Sequence, residues 1–177
     1  MELLELYVPQ IKDLWFRQKM LSDPETMAYN ANYDMDFEGY HKDTGCIDFP
    51  ESKWNEWHEY WCGEQNNADS ERFYAYVVRP SDGAFIGEVN YHYVPDKDWW
   101  DIGIVIYAPY RGNGYSVPAL WLLVAQAFGC GHAVRLHNAF ETDRTAALKC
   151  HLKVGFRDTG IENGVQHLIL TEEDYPF

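Results

Sequence analysis

Residues 104–116 of this chain are Ile104-Val105-Ile106-Tyr107-Ala108-Pro109-Tyr110-Arg111-Gly112-Asn113-Gly114-Tyr115-Ser116. An apolar, β-branched run leads into a turn with two glycines, and a helix is predicted to begin directly after it. Successive amides in such a turn form a concave nest, and a helix N-terminus adds unpaired N–H groups and the positive end of its dipole. The segment therefore predicts a phosphate or pyrophosphate site, with Arg111 as a fixed charge at its mouth.

A turn that binds nothing is the alternative to this phosphate site, because structural turns with two glycines are common. The spacing of Gly112 and Gly114 does not fit the dinucleotide-binding fingerprint. The turn also lacks the Lys-Ser/Thr ending of a P-loop.

The rest of the chain predicts one domain, 1–177, with a mixed, mostly antiparallel α/β sheet flanked by helices. Helices are predicted after Pro9, from Pro24, from Pro50, over 117–128 and over 144–154, the last ended by Gly155. Strands are predicted over 3–8, 73–79, 84–93, 99–107, 134–140, from 156 and over 165–170, with a long loop over 30–49 and a turn over 66–70.

Three tryptophans, Trp54, Trp57 and Trp61, fall three and four residues apart and share one face of the helix that follows Pro50. Core packing is the favoured interpretation of this stripe, and a substrate wall is the alternative.

Composition excludes several classes of protein. The 177 residues include 7 Trp, 13 Tyr and 9 Phe, too much aromatic mass for a disordered chain. No apolar run reaches the ~18 residues of a membrane span, and the first residues carry an acidic pair rather than a basic secretory stretch. Four cysteines without paired spacing predict neither a metal knuckle nor a dense disulfide framework, which favours the cytoplasm.

The net charge of −14, from 14 basic and 28 acidic residues, disfavours nucleic acid and anionic membrane surfaces as partners. Solubility is the simple explanation of this charge, and an acidic cleft that attracts a cationic partner such as an amine is the functional one.

The segment Tyr110-Arg111-Gly112-Asn113-Gly114-Tyr115-Ser116 resembles the acetyl-CoA signature of the GNAT N-acetyltransferases, with Ser116 in place of the final Gly or Ala. Leu148 to Phe156, which ends in Gly155-Phe156, is similar to the family's closing helix and next strand. The resemblance covers 72–170 as the acetyl-CoA-binding core and leaves 1–70 as a helical acceptor-side part. Asp23-Pro24-Glu25-Thr26 resembles the ribosomal-protein acetylase branch.

The resemblance implies acetyl-CoA as cosubstrate and no metal. It implies that pantetheine pairs with the strand end at Ile106, Tyr107 and Ala108. It implies that the pyrophosphate lies on the turn amides, at Arg111, Gly112, Asn113, Gly114, Tyr115 and Ser116.

The closing helix departs from the family pattern at two positions. Arg144 stands where many members have Asn, and it is expected to meet a CoA phosphate. His151 stands where many have Tyr, and it is a candidate to protonate the departing thiolate. The alternative for His151 is an ordinary exposed helix residue.

Direct acyl transfer needs a neutral amine, so a carboxylate or a water must take a proton from the ammonium form. Glu88 and Asp101 are the candidate bases, Glu141 is a third, and each is also consistent with an ordinary strand-end carboxylate. A strand N–H near Ile106 is expected to meet the oxyanion, without a covalent enzyme intermediate.

The family resemblance implies an acetyl-CoA-dependent N-acetyltransferase that acts on a primary amine in a ternary complex. A non-catalytic CoA-binding or sensory module on the same fold is the alternative. The acceptor is expected to be a small-molecule amine or a protein N-terminus, and the chain a monomer or homodimer.

Overall fold

The computed structural model describes residues 2–63, 71–131 and 133–175. Within them, seven strands form one sheet in the order β1-β2-β3-β4-β5-β7-β6, in which β4 and β5 run parallel and the other neighbours antiparallel. The strands are β1 Glu5–Tyr7, β2 Arg72–Arg79, β3 Ala84–Val94, β4 Trp99–Ile106, β5 Arg135–Glu141, β6 Arg157–Glu162 and β7 Val165–Thr171. The helices are α1 Trp15–Leu21, α2 Pro24–Met27, α3 Trp54–Cys62, α4 Ser116–Gly129 and α5 Thr145–Val154.

The predicted mixed, mostly antiparallel sheet is confirmed, with differences at the ends of elements. The first strand is shorter than 3–8, and the helix after Pro9 begins with a 3₁₀ turn, Ile11–Asp13, before α1. The predicted turn at 66–70 lies outside the described residues.

The main core lies between the sheet and the helices α4 and α5. Alternate β4 residues, Trp100, Ile102 and Ile106, pack in one cluster with Leu120 and Leu123 of α4. The intervening β4 residues are only partly buried. One face of β4 therefore packs on the core, although the apolar, β-branched run is typical of a strand buried on both faces.

A second, aromatic core lies on the opposite face of the sheet, over β2. Trp57 of α3 meets Tyr74 edge-on with ring centroids 4.7 Å apart, and Trp54, Trp57 and Trp61 are all partly buried against these clusters. Core packing, the favoured interpretation of the tryptophan stripe, is confirmed.

The long segment 30–49 has no regular element beyond an isolated Tyr40–Ile47 bridge, as predicted. Its two halves are tied together, because Asn30 Nδ2 donates to the Gly45 carbonyl at 2.9 Å and the Tyr40 hydroxyl donates to the Asn30 carbonyl at 2.7 Å. Gly45 has φ +73°, and a Cβ there would lie 2.3 Å from the Met27 carbonyl oxygen and 2.6 Å from the Ala31 nitrogen. Backbone crowding therefore requires glycine at this crossing.

We expect Gly45→Ala to destabilise the fold more than Gly83→Ala. Gly83 has a similar φ of +70° but open space around a built Cβ, so it loses only the ~1 kcal/mol of left-handed strain. Gly45→Ala adds about 1–3 kcal/mol of overpacking against backbone atoms that cannot move freely. Chemical denaturation of both variants measures the difference, and equal losses would contradict the crowding at Gly45.

Candidate active site

The parallel strands β4 and β5 are paired at two positions only, Trp100 with Leu136 and Asp101 with His137. β4 continues to Ile106 and β5 to Glu141 without further pairing between them. The two strands therefore part beyond Asp101 and His137. Backbone N–H and C=O groups on the facing edges are left for another partner.

The register shows which β4 groups face this split. Tyr107 N–H donates to the Ile86 carbonyl at 3.0 Å, in line with the β3–β4 pairing. In an antiparallel pair, successive residues direct their backbone groups alternately to the partner strand and away from it. The N–H groups of Ile104 and Ile106 therefore face β5 across the split, while the N–H group of Ile102 faces β5 at the last pair.

Tyr107 and Ala108 are placed differently from Ile106. The Tyr107 amide is used by β3, and the Ala108 amide donates to Thr26 Oγ1 at 3.0 Å. Their carbonyls accept from the amides of Tyr110 and Arg111. The free backbone edge of β4 therefore lies at 104–106, earlier than most of the three residues expected from the resemblance.

The glycine turn presents free amides. Gly112 and Gly114 have φ of +79° and +80°, and a Cβ built on either would meet nothing within 4 Å. No amide of 112–116 donates to another group in the part of the chain that the structure describes, and no side chain caps α4. Free amides at the positive end of a 14-residue helix form a cradle for an anion.

Side chains within the turn hold this shape. Asn113 Nδ2 donates to the carbonyls of Tyr110 and Arg111, at 3.1 and 3.2 Å. The Tyr115 side chain is buried, and its hydroxyl joins Arg79 and Glu2 at 2.8 Å each. Asn113 and Tyr115 thus shape the cradle with their side chains, while Ser116 begins the helix and is exposed.

The Arg111 guanidinium is fixed in place by backbone carbonyls on both sides of the turn. Its Nε donates to the Ile106 carbonyl at 3.0 Å, and its two Nη atoms donate to the carbonyls of Glu25 and Thr26 at 2.9 and 2.7 Å. These carbonyls lie at the end of β4 and in α2. The guanidinium therefore fastens α2 to the turn, because a planar fork of donors can meet several carbonyls at once.

His151 is 2% exposed, so the alternative of an exposed helix residue is wrong. Its Nδ1 donates to the Ala147 carbonyl at 2.8 Å, and its Nε2 accepts from Asn138 Nδ2 at 2.9 Å. Burial lowers its pKa below the usual 6.5, against a smaller opposing effect of the Ala147 contact. The ring is therefore held neutral between α5 and β5.

Asn138 is a residue that the sequence did not single out. Besides its contact with His151, its Oδ1 accepts from the Ala139 amide at 2.9 Å. Thr142 N–H donates to the Gly164 carbonyl in the β5–β7 register, so by alternation the Ala139 N–H faces the split. Asn138 thus satisfies a β5 amide that the parting of the strands leaves without a partner.

Glu88 is buried in an ion pair. Arg17 Nη1 lies 2.6 Å from both Glu88 carboxylate oxygens, and the Tyr74 hydroxyl donates to the same carboxylate. The Arg17 guanidinium carbon Cζ also lies over the Trp57 ring, 4.5 Å from the ring centroid. Burial is the largest single effect and lowers the Arg17 pKa, but the attraction of Glu88 and Tyr74 and the hydrogen bonds to them together outweigh burial and raise it.

The other carboxylate candidates lie elsewhere. Asp101 Oδ1 accepts from His137 Nδ1 at 2.6 Å, at the last pair before the split. Glu141 Oε2 lies 2.5 Å from Arg144 Nη2 at the other end of β5. The three candidate bases are therefore in three separate places, and Glu88 and Glu141 are each paired with an arginine.

Arg144 lines a cleft of about 590 Å³. Its Nη2 donates to the Tyr29 carbonyl at 2.6 Å, which joins the β5–α5 turn to the segment after α2. Loss of solvation and repulsion from Glu88 raise the pKa of Tyr29 to about 12, so its hydroxyl stays protonated. The cleft is lined by Ala28, Tyr29, Ala31, Asn32, Tyr33, Glu141, Asp143 and Arg144.

We expect Glu88→Gln to destabilise the protein by about 3–5 kcal/mol, because it leaves the buried Arg17 charge unpaired. Asp34→Asn, which removes the carboxylate of an exposed pair with Lys42, is the control and should change stability little. The double variant Arg17→Met/Glu88→Leu should lose less than Glu88→Gln, since it leaves no unpaired charge. Denaturant unfolding of all three measures this, and a Glu88→Gln loss no greater than the control's would contradict the ion pair.

In the described residues, no helix is both long and apolar enough to cross a bilayer. No curated protein sequence matches the chain significantly. Among solved structures, an acetyltransferase (GNAT family) from Bacillus anthracis shares 16% identity over 96% of this chain and 95% of its own, with a TM-score of 0.68.

Two further structures share the fold. A spermidine N-acetyltransferase from Vibrio cholerae, in complex with CoA and spermine, is 15% identical over 97% of each chain, with a TM-score of 0.72. A nucleotide-linked sugar GNAT is 17% identical over 99% of this chain and 92% of its own, with a TM-score of 0.67. The Acetyltransferase (GNAT) domain family matches residues 4–157, and the chain is therefore a member of the GNAT acetyltransferase family.

Proposed function

We propose that this protein transfers the acetyl group of acetyl-CoA to a primary amine by direct attack within a ternary complex. The observation that carries the proposal is the split between β4 and β5 next to a turn whose amides are free. The split offers a backbone edge to the amides of an extended ligand, and the turn offers a cradle to its phosphates.

The residues fit acetyl-CoA as follows. The pyrophosphate would lie on the amides of 112–116, and pantetheine would follow the free β4 edge at Ile104 and Ile106. Tyr107 and Ala108 would border the strand end without offering their amides. Arg144 would border the cofactor along the cleft. Residues 72–170 would form this acetyl-CoA-binding core, and 1–70 the acceptor side.

In the reaction, the amine nitrogen forms a bond to the thioester carbon and the carbonyl electrons move to oxygen. One of the β4 amides that face the split, near Ile106, would stabilise this oxyanion. Collapse breaks the C–S bond and releases the CoA thiolate, which takes up a proton. No side-chain nucleophile is needed, since the amine attacks directly.

Among the carboxylates, Asp101 is best suited to take part in deprotonating the amine. Glu88 and Glu141 are held by Arg17 and Arg144, so a proton on either would have to displace an ion pair. Asp101 is partly exposed and bonded to the His137 imidazole instead, so it can take part in proton transfer without displacing an arginine.

The acceptor is proposed to be a cationic small-molecule amine or a protein N-terminus, and not nucleic acid. The charge of −14 favours a cationic acceptor, and Glu141 and Asp143 line the cleft. One protein of the same fold is a spermidine N-acetyltransferase, which also acts on a cationic amine.

A panel of amines tests the proposal against a non-catalytic CoA-binding module. The protein is incubated with acetyl-CoA and each amine, and free CoA thiol and the mass of the amine product are measured. Amine-dependent CoA release with an acetylated product supports the transferase. Acetyl-CoA binding without release for any amine supports the module, and absence of binding supports a turn without a ligand.

We expect Gly114→Val to weaken acetyl-CoA binding by tenfold or more, because a β-branched side chain disfavours φ of +80° and covers the turn amides. Gly131→Val is the matched control, since Gly131 has φ +76° and open space but lies beyond the far end of α4. Isothermal titration calorimetry on the folded variants compares the affinities. Unchanged affinity in Gly114→Val would contradict the phosphate site.

The acid role of His151 stays a prediction, and its contacts define the test. A buried histidine with a lowered pKa binds fewer protons in the folded than in the unfolded state, so stability falls as pH drops below about 6.5. His151→Gln, which keeps an acceptor for Asn138, should flatten this acid dependence in denaturant unfolding.

If His151 is the acid, His151→Gln and His151→Ala should both lower kcat about tenfold or more at unchanged acetyl-CoA affinity. If kcat of the Gln variant stays within about twofold of the parent, His151 only positions Asn138.

A further inference from the structure

Three strands contribute one side chain each to a hydrogen-bonded chain next to the split. Asp101 Oδ1 lies 2.6 Å from His137 Nδ1, and His137 Nε2 lies 3.0 Å from His167 Nδ1. The Trp99 ring stacks on His137 with centroids 4.1 Å apart and planes 17° apart. His137 is 5% exposed, while Asp101 and His167 are half-buried. The chain thus runs from β4 across β5 to β7, with a packed central ring.

The donors and acceptors of this chain have one consistent arrangement when both histidines are neutral. An ionised Asp101 only accepts, so His137 Nδ1 carries the proton and His137 Nε2 is an acceptor. His167 Nδ1 must then donate to His137 Nε2. His167 Nε2 is left as the acceptor at the end of the chain, so the base of the cluster is His167 rather than Asp101.

His167, at the end of this hydrogen-bonded series, lies on β7, one strand beyond the β5 edge of the split. Asp101 and His137 form the last β4–β5 pair, and His167 is the β7 partner of Ala139, whose amide faces the split. Strand alternation places all three side chains opposite the face that packs on α4, where Ile102 and Leu136 lie. His151 and Asn138 are bound to the α5 side. The His151–Asn138 pair and the Asp101–His137–His167 cluster therefore lie on opposite faces of the sheet.

We propose that Asp101, His137 and His167 form a proton relay in which His167 Nε2 takes the proton of the acceptor ammonium. This inference rests on the proposed acetyl transfer. The N–H bond of the ammonium breaks, its electron pair stays on nitrogen, and a bond forms between the proton and His167 Nε2. Passing the Nδ1 proton of His167 to His137 Nε2 then moves the positive charge next to the Asp101 carboxylate, where it is stabilised.

The side chains of the Asp101–His137–His167 cluster bind one another rather than a metal ion. In the described part of the chain, no group of three or more His, Cys, Asp or Glu side chains is arranged to hold a metal ion. The nitrogens of His137 and His167 point to each other instead. The strand registers place further titratable side chains on this face: Arg72, Tyr74 and Tyr76 on β2, Glu88 and His92 on β3, Arg135 and Glu141 on β5, and Arg157 and Glu162 on β6.

The experiment measures kcat/KM for the best amine from pH 5.5 to 9 in His167→Asn, Asp101→Asn and the parent. Asn at 167 retains a donor near the Nδ1 position but removes the Nε2 base. We expect His167→Asn to lower kcat/KM about a hundredfold at neutral pH and to lose the parent's acid limb, with acetyl-CoA affinity unchanged. Asp101→Asn should lower the rate less, because the terminal base remains.

Two controls separate this role from a structural one. Exogenous imidazole should restore part of the rate of His167→Ala, since it can replace a missing base but not a missing structural contact. His41→Gln removes an exposed histidine that also contacts an aspartate, Asp48, and should leave the profile unchanged. If His167→Asn does not fold, His167→Gln takes its place.

Failure of the relay and failure of the proposed acetyl transfer give different results. A parent that releases no CoA with any amine overturns both the proposed function and the relay. An active parent whose folded His167 variants keep the rate within about twofold, keep the acid limb and gain nothing from imidazole overturns the relay alone.

Discussion

The parting of β4 and β5 beyond Asp101 and His137 is the constraint on which the rest of the structure depends. Backbone groups inside a protein require partners, and two strands that separate lose them on both facing edges. The β5 edge is completed from within, by Asn138 on the Ala139 amide, and the end of β4 by Arg111 on the Ile106 carbonyl. Between these points the β4 edge keeps the amides that the proposed function assigns to acetyl-CoA.

The two arginines next to the opening hold the N-terminal half of the chain on the sheet. Arg111 reaches the carbonyls of α2, and Arg17 of α1 pairs with Glu88 of β3 under a cover of aromatic rings. The Arg17 charge is paired with a carboxylate, while Arg111 donates to neutral carbonyls. The two arginines fix the elements around the amides and the helix N-terminus that form the anion cradle at 112–116.

Strand alternation gives neighbouring residues separate tasks. His137 and Asn138 are adjacent on β5, yet Asn138 contacts His151 on α5, and His137 joins Asp101 and His167 on the opposite face. Because successive side chains of a strand point to opposite faces, two adjacent residues of β5 supply polar side chains to both faces of the sheet. In the proposed reaction, one face would serve the departing thiol and the other the incoming amine.

Local patterns in the sequence determined the elements, the mixed sheet, the two-glycine turn and the family. These features depend on periodicity, Gly and Pro placement and a short signature, all of which lie within a few residues of one another. Tertiary structure alone decided where Arg111, Glu88 and His151 point, because their partners are 85, 71 and 13 residues away in sequence. It also decided that Asp101, His137 and His167 meet, since only the strand order and register bring β4, β5 and β7 side by side.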